Sequence, residues 1–529
     1  MLARITATLL AALLFLLPAA SPPVLAQDAG KEPAKEAASG GKPAREAASS
    51  GSTLLSPADS TTQHTLRLKD GREIRYTATA GMLPVRDGKG ETQAEIFYVA
   101  YVADPPSPER PLTFAFNGGP GAASAYLHLG ALGPRRLVFA PDGTIPSPPA
   151  QLVDNEDTWL AFTDLVFVDP VGTGYSRTTD QSEDARKRFW GVEQDGNAMA
   201  AVIRLYTARA GRSLSPKFLA GESYGGFRAA LLAHKLQGET GIAPSGAVLI
   251  SPALEFSLLS EDDYQAVTWI THVPSFAAVN LATAKGVGDR DALAASLHDA
   301  ESFAAGDYLT YLAAGSSAGR EREQAVWKRL ADLTGLPPAI VEQARGRIGS
   351  GTFIKEYARA QGRLLSRYDG TVSGPDPYPT STRPRGPDPI LDRSVAPWTS
   401  AFIAYVRDEL GYRTDLPYRL LNREVGGRWD YGTTASHQGF AGVMDDLREA
   451  RALNPKLRVM IAHGLTDLTT PYFGTRYLLN QMPPMPGAAP VDLKLYAGGH
   501  MMYMRPDSRR ALAADAASLY RDAVSASIE

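Results

Sequence analysis

Apolar and polar residues alternate with period two where the folded part of the chain begins. Leu66-Arg67-Leu68 and Ile74-Arg75-Tyr76 do so across the turn residues Lys69-Asp70-Gly71, and 96–102 reads as a further strand, so folded structure is expected to open near His64 with antiparallel strands. The pattern then changes. Short, mainly apolar runs at 112–116, 165–168, 218–220, 248–250, 459–461 and 493–496 are separated by helical segments, the signature of a mostly parallel sheet covered by helices on both faces. Between 255 and 398 the strand signal fades, and Ala- and Leu-rich helical stretches such as 291–304 and 321–333 replace it. The last part, 368–397, is dense in Pro, Gly, Asp and Ser. This segment is expected to be a largely helical cap inserted into the α/β core, ending in a long irregular loop. The core is then built from 61–254 and 399–529.

Two upstream segments are not expected to join the fold. Residues 1–26 carry Arg4, the apolar run Leu9-Leu10-Ala11-Ala12-Leu13-Leu14-Phe15-Leu16-Leu17 and the small-residue site Val24-Leu25-Ala26 before Gln27. That is a signal-peptide pattern, too short to span a bilayer comfortably. Residues 27–60 are almost all Ala, Gly, Ser, Pro, Lys and Glu and cannot bury enough apolar surface to order themselves. An exported protein is expected, periplasmic or secreted, with no stable membrane insertion after cleavage. The 529 residues include no cysteine, which excludes a thiol nucleophile and cysteine-ligated metal and leaves stability to core size. A formal net charge of −3 without a basic block argues against nucleic acid as a partner. Metal-binding spacings such as His-Glu-x-x-His are absent from the sequence, and neither metal nor cofactor is expected. No sequence feature bears on oligomeric state.

The chemistry begins at Gly221-Glu222-Ser223-Tyr224-Gly225-Gly226, which follows the strand residues Lys217-Phe218-Leu219-Ala220 and precedes a helical pattern through Phe227, Ala230, Leu231 and His234. This is the strand–turn–helix setting of a nucleophile elbow: a turn so tight that side chains flanking the serine collide unless they are glycine. A serine hydroxyl needs a base, and the base an orienting acid. In the α/β-hydrolase fold these follow in the order Ser, Asp, His, each after a strand. Asp467 lies just past 458–462 and His500 just past 494–496, so Ser223, Asp467 and His500 are the expected triad. His463, His128 and His437 are expected to be structural. The oxyanion of acyl transfer needs backbone donors. Tyr224 supplies one, and the glycine loop Asn117-Gly118-Gly119-Pro120-Gly121 is the expected source of the other. That loop lacks the lysine of a phosphate-binding loop, and a second one, Pro170-Val171-Gly172-Thr173-Gly174-Tyr175-Ser176, lacks the dinucleotide-binding spacing.

Together, Asn117-Gly118-Gly119-Pro120-Gly121, Asp169 to Ser176, Gly221 to Gly226, Gly464 with Asp467, and Gly499-His500-Met501 resemble the serine carboxypeptidase family, in a bacterial exported member. The resemblance implies Ser223 as nucleophile, His500 as general base and acid, Asp467 as its orienter, and the amides of Gly119 and Tyr224 as oxyanion hole. It also implies that Asn117 and Glu222 bind the carboxylate at a peptide's C-terminus. Glu222 must be protonated for that, since two negative charges would otherwise face each other, so work at acidic pH is expected. The family usually has Trp, Cys and Glu where this chain has Ala115, Ala122 and Ala131. The network that reads a free carboxyl end is thereby thinned.

The leading expectation is a serine-type carboxypeptidase acting on peptide or protein C-termini through an acyl-enzyme. One rival is an esterase or acyltransferase using the same triad on non-peptide esters. Another, of a different class, is an inactive binding protein on this fold.

Overall fold

The computed structural model describes residues 56–146, 149–286, 290–432 and 441–526. The expected leader, most of the linker and His437 lie outside them. The chain divides into Met1–Leu54 and Leu55–Glu529, and every described residue belongs to the second unit.

The expected strands join one ten-stranded sheet. β1 (Ser60–Arg67), β2 (Glu73–Arg86) and β3 (Thr92–Ala103) run antiparallel, with Leu66 opposite Ile74 across the turn. β1 begins at Ser60 rather than His64, because Ser60 to Gln63 pair their backbones with β2 without presenting an apolar face. The remaining main strands are β4 (Leu112–Phe116), β5 (Asp164–Val168), β6 (Lys217–Glu222), β7 (Gly246–Ile250), β8 (Arg458–Gly464) and β9 (Val491–Tyr496). They run parallel in the order β5-β4-β6-β7-β8-β9, and β5 meets β3 antiparallel. β4 to β7 are buried at every position, which is why they read as mainly apolar runs without alternation.

Alternate side chains of these strands feed two apolar layers. On one face Phe114, Leu219, Leu249 and Ile461 pack with α1 (Val192–Arg209) and α2 (Tyr224–Lys235). On the other, Ala115, Phe218 and Val248 pack with aromatic residues, and the Phe218 ring stacks on Tyr520 at 3.7 Å. A sheet of this order, with helices on both faces and a serine turn after β6, is the α/β-hydrolase fold.

Most of the chain between β7 and β8 is helical. α3 (Ala266–Lys285) centres a third apolar cluster in which Phe276, Val279, Leu330, Val341 and Phe353 close on Leu465 and Tyr472. The stretch expected as one helix over 291–304 is two, Arg290–Ser296 and His298–Phe303, and that over 321–333 is Arg320–Thr334. Arg363–Leu365 and Ser373–Pro375 form a small antiparallel ribbon, each strand too short to be legible as alternation. α4 (Leu391–Ala404) runs unbroken through 398–399, and Trp398 is buried, with Nε1 donating to Ala125 O at 2.8 Å. Helix α5 (Met444–Leu453) then returns to the layer of α1 and α2. Among the described residues no helix is long and apolar enough to cross a membrane.

Candidate active site

β6 runs into Ser223 at the head of α2. Ser223 has φ 59° and ψ −123°, a conformation that a non-glycine residue holds only where its surroundings over-determine it. They do: Ser223 N donates to Ile250 O at 2.9 Å, and Ser223 O accepts from Gly226 N at 2.9 Å and Ala253 N at 3.2 Å. The flanking glycines answer a steric demand. A Cβ on Gly221 would run into Gly225 O and lie 2.7 Å from Gly226 N; one on Gly225 would run into Phe116 O and lie 2.9 Å from Asn117 C.

Asp467 and His500 sit on the loops after β8 and β9, and both are fully buried. His500 Nδ1 lies 2.8 Å from Asp467 Oδ2. Asp467 Oδ1 also accepts from Thr469 N at 2.7 Å and Thr470 N at 3.1 Å. Thr470 Oγ1, which no sequence motif singles out, is 2.8 Å from Asp467 Oδ2, 3.1 Å from His500 Nδ1 and 3.0 Å from Ser251 O. Burial by itself disfavours the imidazolium. The charge and hydrogen bond of Asp467, with the nearby Glu222, outweigh it and carry the His500 pKa above the ordinary 6.5. Nε2, the other ring nitrogen, is buried and makes no hydrogen bond among the described residues. The half-buried Ser223 is therefore not bonded to it, and contacts of this kind tighten when substrate binds.

The His and Asp loops share a third support. His500 N donates to Tyr368 O at 2.5 Å, and the Tyr368 ring meets the imidazole edge-on, with centroids 4.9 Å apart. Next to it, Asp369 accepts from Thr466 Oγ1 at 2.7 Å and from Arg505 Nη2 at 3.1 Å. In the sequence only the Asp369-Gly370 turn signal marks this stretch.

Glu222 and Asn117 are brought together. Asn117 Nδ2 donates to Glu222 Oε2 at 3.1 Å, and Tyr503, absent from the expected site, donates its hydroxyl to the same oxygen. Asn117 Oδ1 accepts from Leu127 N at 2.8 Å, which fixes the orientation of the amide. Burial pushes the Glu222 pKa up to about 7, although His500, Tyr503 and Asn117 each favour the ionised form. Below that pH the carboxyl is neutral.

The glycine loop lies against the elbow. A Cβ on Gly118 would sit 2.5 Å from Tyr224 N and 2.7 Å from Glu222 O, and Gly119 has φ 101°. Tyr224 opens α2, so its N–H has no intrahelical acceptor. Arg228 braces the loop from beneath: Nη1 donates to Asn117 O at 2.8 Å while Nε pairs with the buried Asp195 at 2.6 Å. The second glycine loop braces it from the side, where Asp169 accepts from Ser124 N at 2.7 Å and from the Tyr418 hydroxyl at 3.2 Å. Two of the remaining histidines have structural partners. His463 Nε2 bonds Thr475 Oγ1 at 2.8 Å, and burial takes its pKa down to about 4. His128 stacks on Phe167 and bonds the Tyr101 hydroxyl at 2.6 Å, with its pKa lowered by burial to about 3.

Residues 72–241 match the serine carboxypeptidase family profile. The matched part contains Asn117, Gly119, Glu222, Ser223 and Tyr224, but neither Asp467 nor His500. Among curated proteins, the pheromone-processing carboxypeptidase KEX1 of Yarrowia lipolytica is 37% identical over 131 residues, which is 24% of this chain and 19% of that protein. Its counterpart in Cryptococcus gattii is 38% identical over 106 residues, 18% of this chain and 15% of that one. The serine carboxypeptidase ctsa-3.2 of Caenorhabditis elegans is 28% identical over 138 residues, 26% of this chain and 25% of that one. The chain thus spans a quarter or less of the length of these relatives. Among solved structures, Kex1Δp, a prohormone-processing carboxypeptidase from Saccharomyces cerevisiae, superposes with a TM-score of 0.51 at 16% identity, over 84% of this chain and 91% of that one. The shared feature at that identity is the fold.

Proposed function

We propose that this chain is a serine-type carboxypeptidase that removes residues from peptide C-termini. The observation that carries the reading is Glu222, a buried carboxyl next in sequence to Ser223, held by Asn117 and neutral below about pH 7. A neutral carboxyl beside a nucleophile donates to a substrate carboxylate instead of repelling it. In the cycle, His500 Nε2 takes the Ser223 proton as Oγ attacks the scissile carbonyl, and the Gly119 and Tyr224 amides hold the oxyanion. His500 passes the proton to the leaving amine, an ester forms on Ser223, and water, deprotonated by His500, releases the acyl group. Asp467 orients and charge-stabilises the imidazole throughout. No step calls for a metal or cofactor.

Residues 1–26 are proposed as a signal peptide and 27–60 as a linker, which makes the mature chain an exported bacterial protein of the periplasm or the medium. Segment 255–398 is proposed as the cap that sets side-chain preference over a core of 61–254 and 399–529. The reading is tested with the mature chain and a matched peptide pair, one with a free and one with an amidated C-terminus, from acidic to neutral pH beside Ser223→Ala. Preference for the free acid that fades as pH rises supports a carboxypeptidase. Indifference to the terminus, or hydrolysis of esters alone, moves the assignment to an esterase or acyltransferase, a reading favoured by the buried Ala131 where a supporting carboxylate is expected.

A further inference from the structure

Two donors converge on one oxygen of Glu222. Asn117 Nδ2 reaches Oε2 at 3.1 Å, and the Tyr503 hydroxyl reaches the same atom. Oε1 makes no hydrogen bond among the described residues. A neutral carboxyl has one strongly accepting oxygen and one hydroxyl; Asn117 Nδ2, fixed as a donor because Oδ1 accepts from Leu127 N, marks Oε2 as the acceptor and leaves the Tyr503 hydroxyl to donate there as well. The proton of Glu222 therefore belongs on Oε1. We infer that Tyr503 is a specificity-determining residue: with Asn117 it reserves Oε2 as acceptor, so that Oε1–H is presented to the terminal carboxylate of a peptide. This inference rests on the carboxypeptidase reading above.

The ring is built into the site. Tyr503 is fully buried, and a Cβ on Gly130 would lie 2.6 Å from its Cε2. The next residue is Ala131, where the family resemblance leads one to expect a carboxylate that supports Glu222. Tyr503 supplies that support from the short helical turn that follows His500. The other groups whose charge acts on Glu222, or that feel its charge, are His500 and Asp467 from the loops after β9 and β8, Tyr126 from the segment after the glycine loop, and Tyr368 from the insertion. Of these His500 alone can be cationic. It remains in place when the Tyr503 hydroxyl is removed, so a change in pH response upon that removal reports on the hydroxyl.

The test compares wild type with Tyr503→Phe on the free-acid and amidated peptide pair between about pH 4 and 8, taking KM for each at every pH. The ratio of the two kcat/KM values cancels differences in the amount of folded enzyme. Tyr503→Phe is expected to lower the free-acid preference in acid about tenfold, chiefly through KM. It should also move the pH at which free-acid binding is lost upward by about one unit, because a donor that favours the ionised carboxyl is gone. A second variant carries 3-fluorotyrosine at 503, nearly the same shape with a stronger donor, and is expected to move that pH downward. If both variants keep the wild-type preference and midpoint, Tyr503 only packs and the inference is overturned. If wild type itself shows no preference for the free acid, the carboxypeptidase reading fails and takes this inference with it.

Discussion

Thr466 donates its hydroxyl to Asp369 Oδ1 at 2.7 Å, which fastens the loop bearing Asp467 to a residue nearly a hundred positions away, in the chain between β7 and β8. The other oxygen of Asp369 holds Arg505, beyond His500. Asp369→Ala is expected to leave the mostly buried Arg505 without its counter-charge, with only the Thr371 hydroxyl as a partner, and to cost about 3 kcal/mol. Denaturant unfolding measures the loss, and an unchanged midpoint would count against a bracing role for Asp369.

Ser223→Ala is expected to lower kcat on the free-acid peptide by about 10⁴-fold or more with little change in KM. Asp467→Asn should cost about as much, because it leaves the imidazole without its orienting charge. It should also move the midpoint of the acid limb, where His500 gains its proton, downward, since Asp467 raises the His500 pKa. On an amidated peptide the wild-type rate should climb as pH passes a value above 6.5, where His500 becomes neutral. Stopped assays across pH read both effects.

Glu222→Gln presents a donor that does not titrate. Gln offers one accepting oxygen for Asn117 and Tyr503 and an amide N–H for the substrate, so KM for the free acid is expected to stay low above pH 7, where wild-type KM rises. The sign for stability is equally definite. The folded carboxyl binds its proton more tightly than the ordinary 4.5 of the unfolded chain, so its contribution is complete below 4.5 and is lost as pH rises through about 7. Thermal melts of the variant should lack that part of the slope.

Gly118→Ala places a methyl 2.5 Å from Tyr224 N and 2.7 Å from Glu222 O, so the glycine loop must withdraw from the elbow. A fall in kcat of about 10²-fold is expected, the size associated with losing one oxyanion donor. An active Gly118→Ala enzyme would remove this loop from the mechanism.

The sheet was legible because its central parallel strands, β4 to β7, are buried on both faces and so read as mainly apolar runs; 112–116 coincides with Leu112–Phe116. Ser60 to Gln63 escaped notice because backbone pairing holds them. At the site, Ser223, Asp467 and His500 could be named because turns after strands constrain residue types locally. Tyr368, Thr470 and Tyr503 could not. Their roles depend on which loops meet in space, and a lone Tyr or Thr in a loop has no spacing to betray it. Asp369 and Thr466 meet across 97 positions, a separation that no local pattern encodes.

His500 takes its backbone support from Tyr368 O and its side-chain support from Asp467, so base and acid are both referred to the short stretch 368–371. On the carboxypeptidase reading proposed above, a change within this stretch would detune the proton transfer for every substrate alike, whereas a change elsewhere in 255–398 would act on one substrate against another. A laboratory search for altered selectivity therefore gains by holding 368–371 fixed.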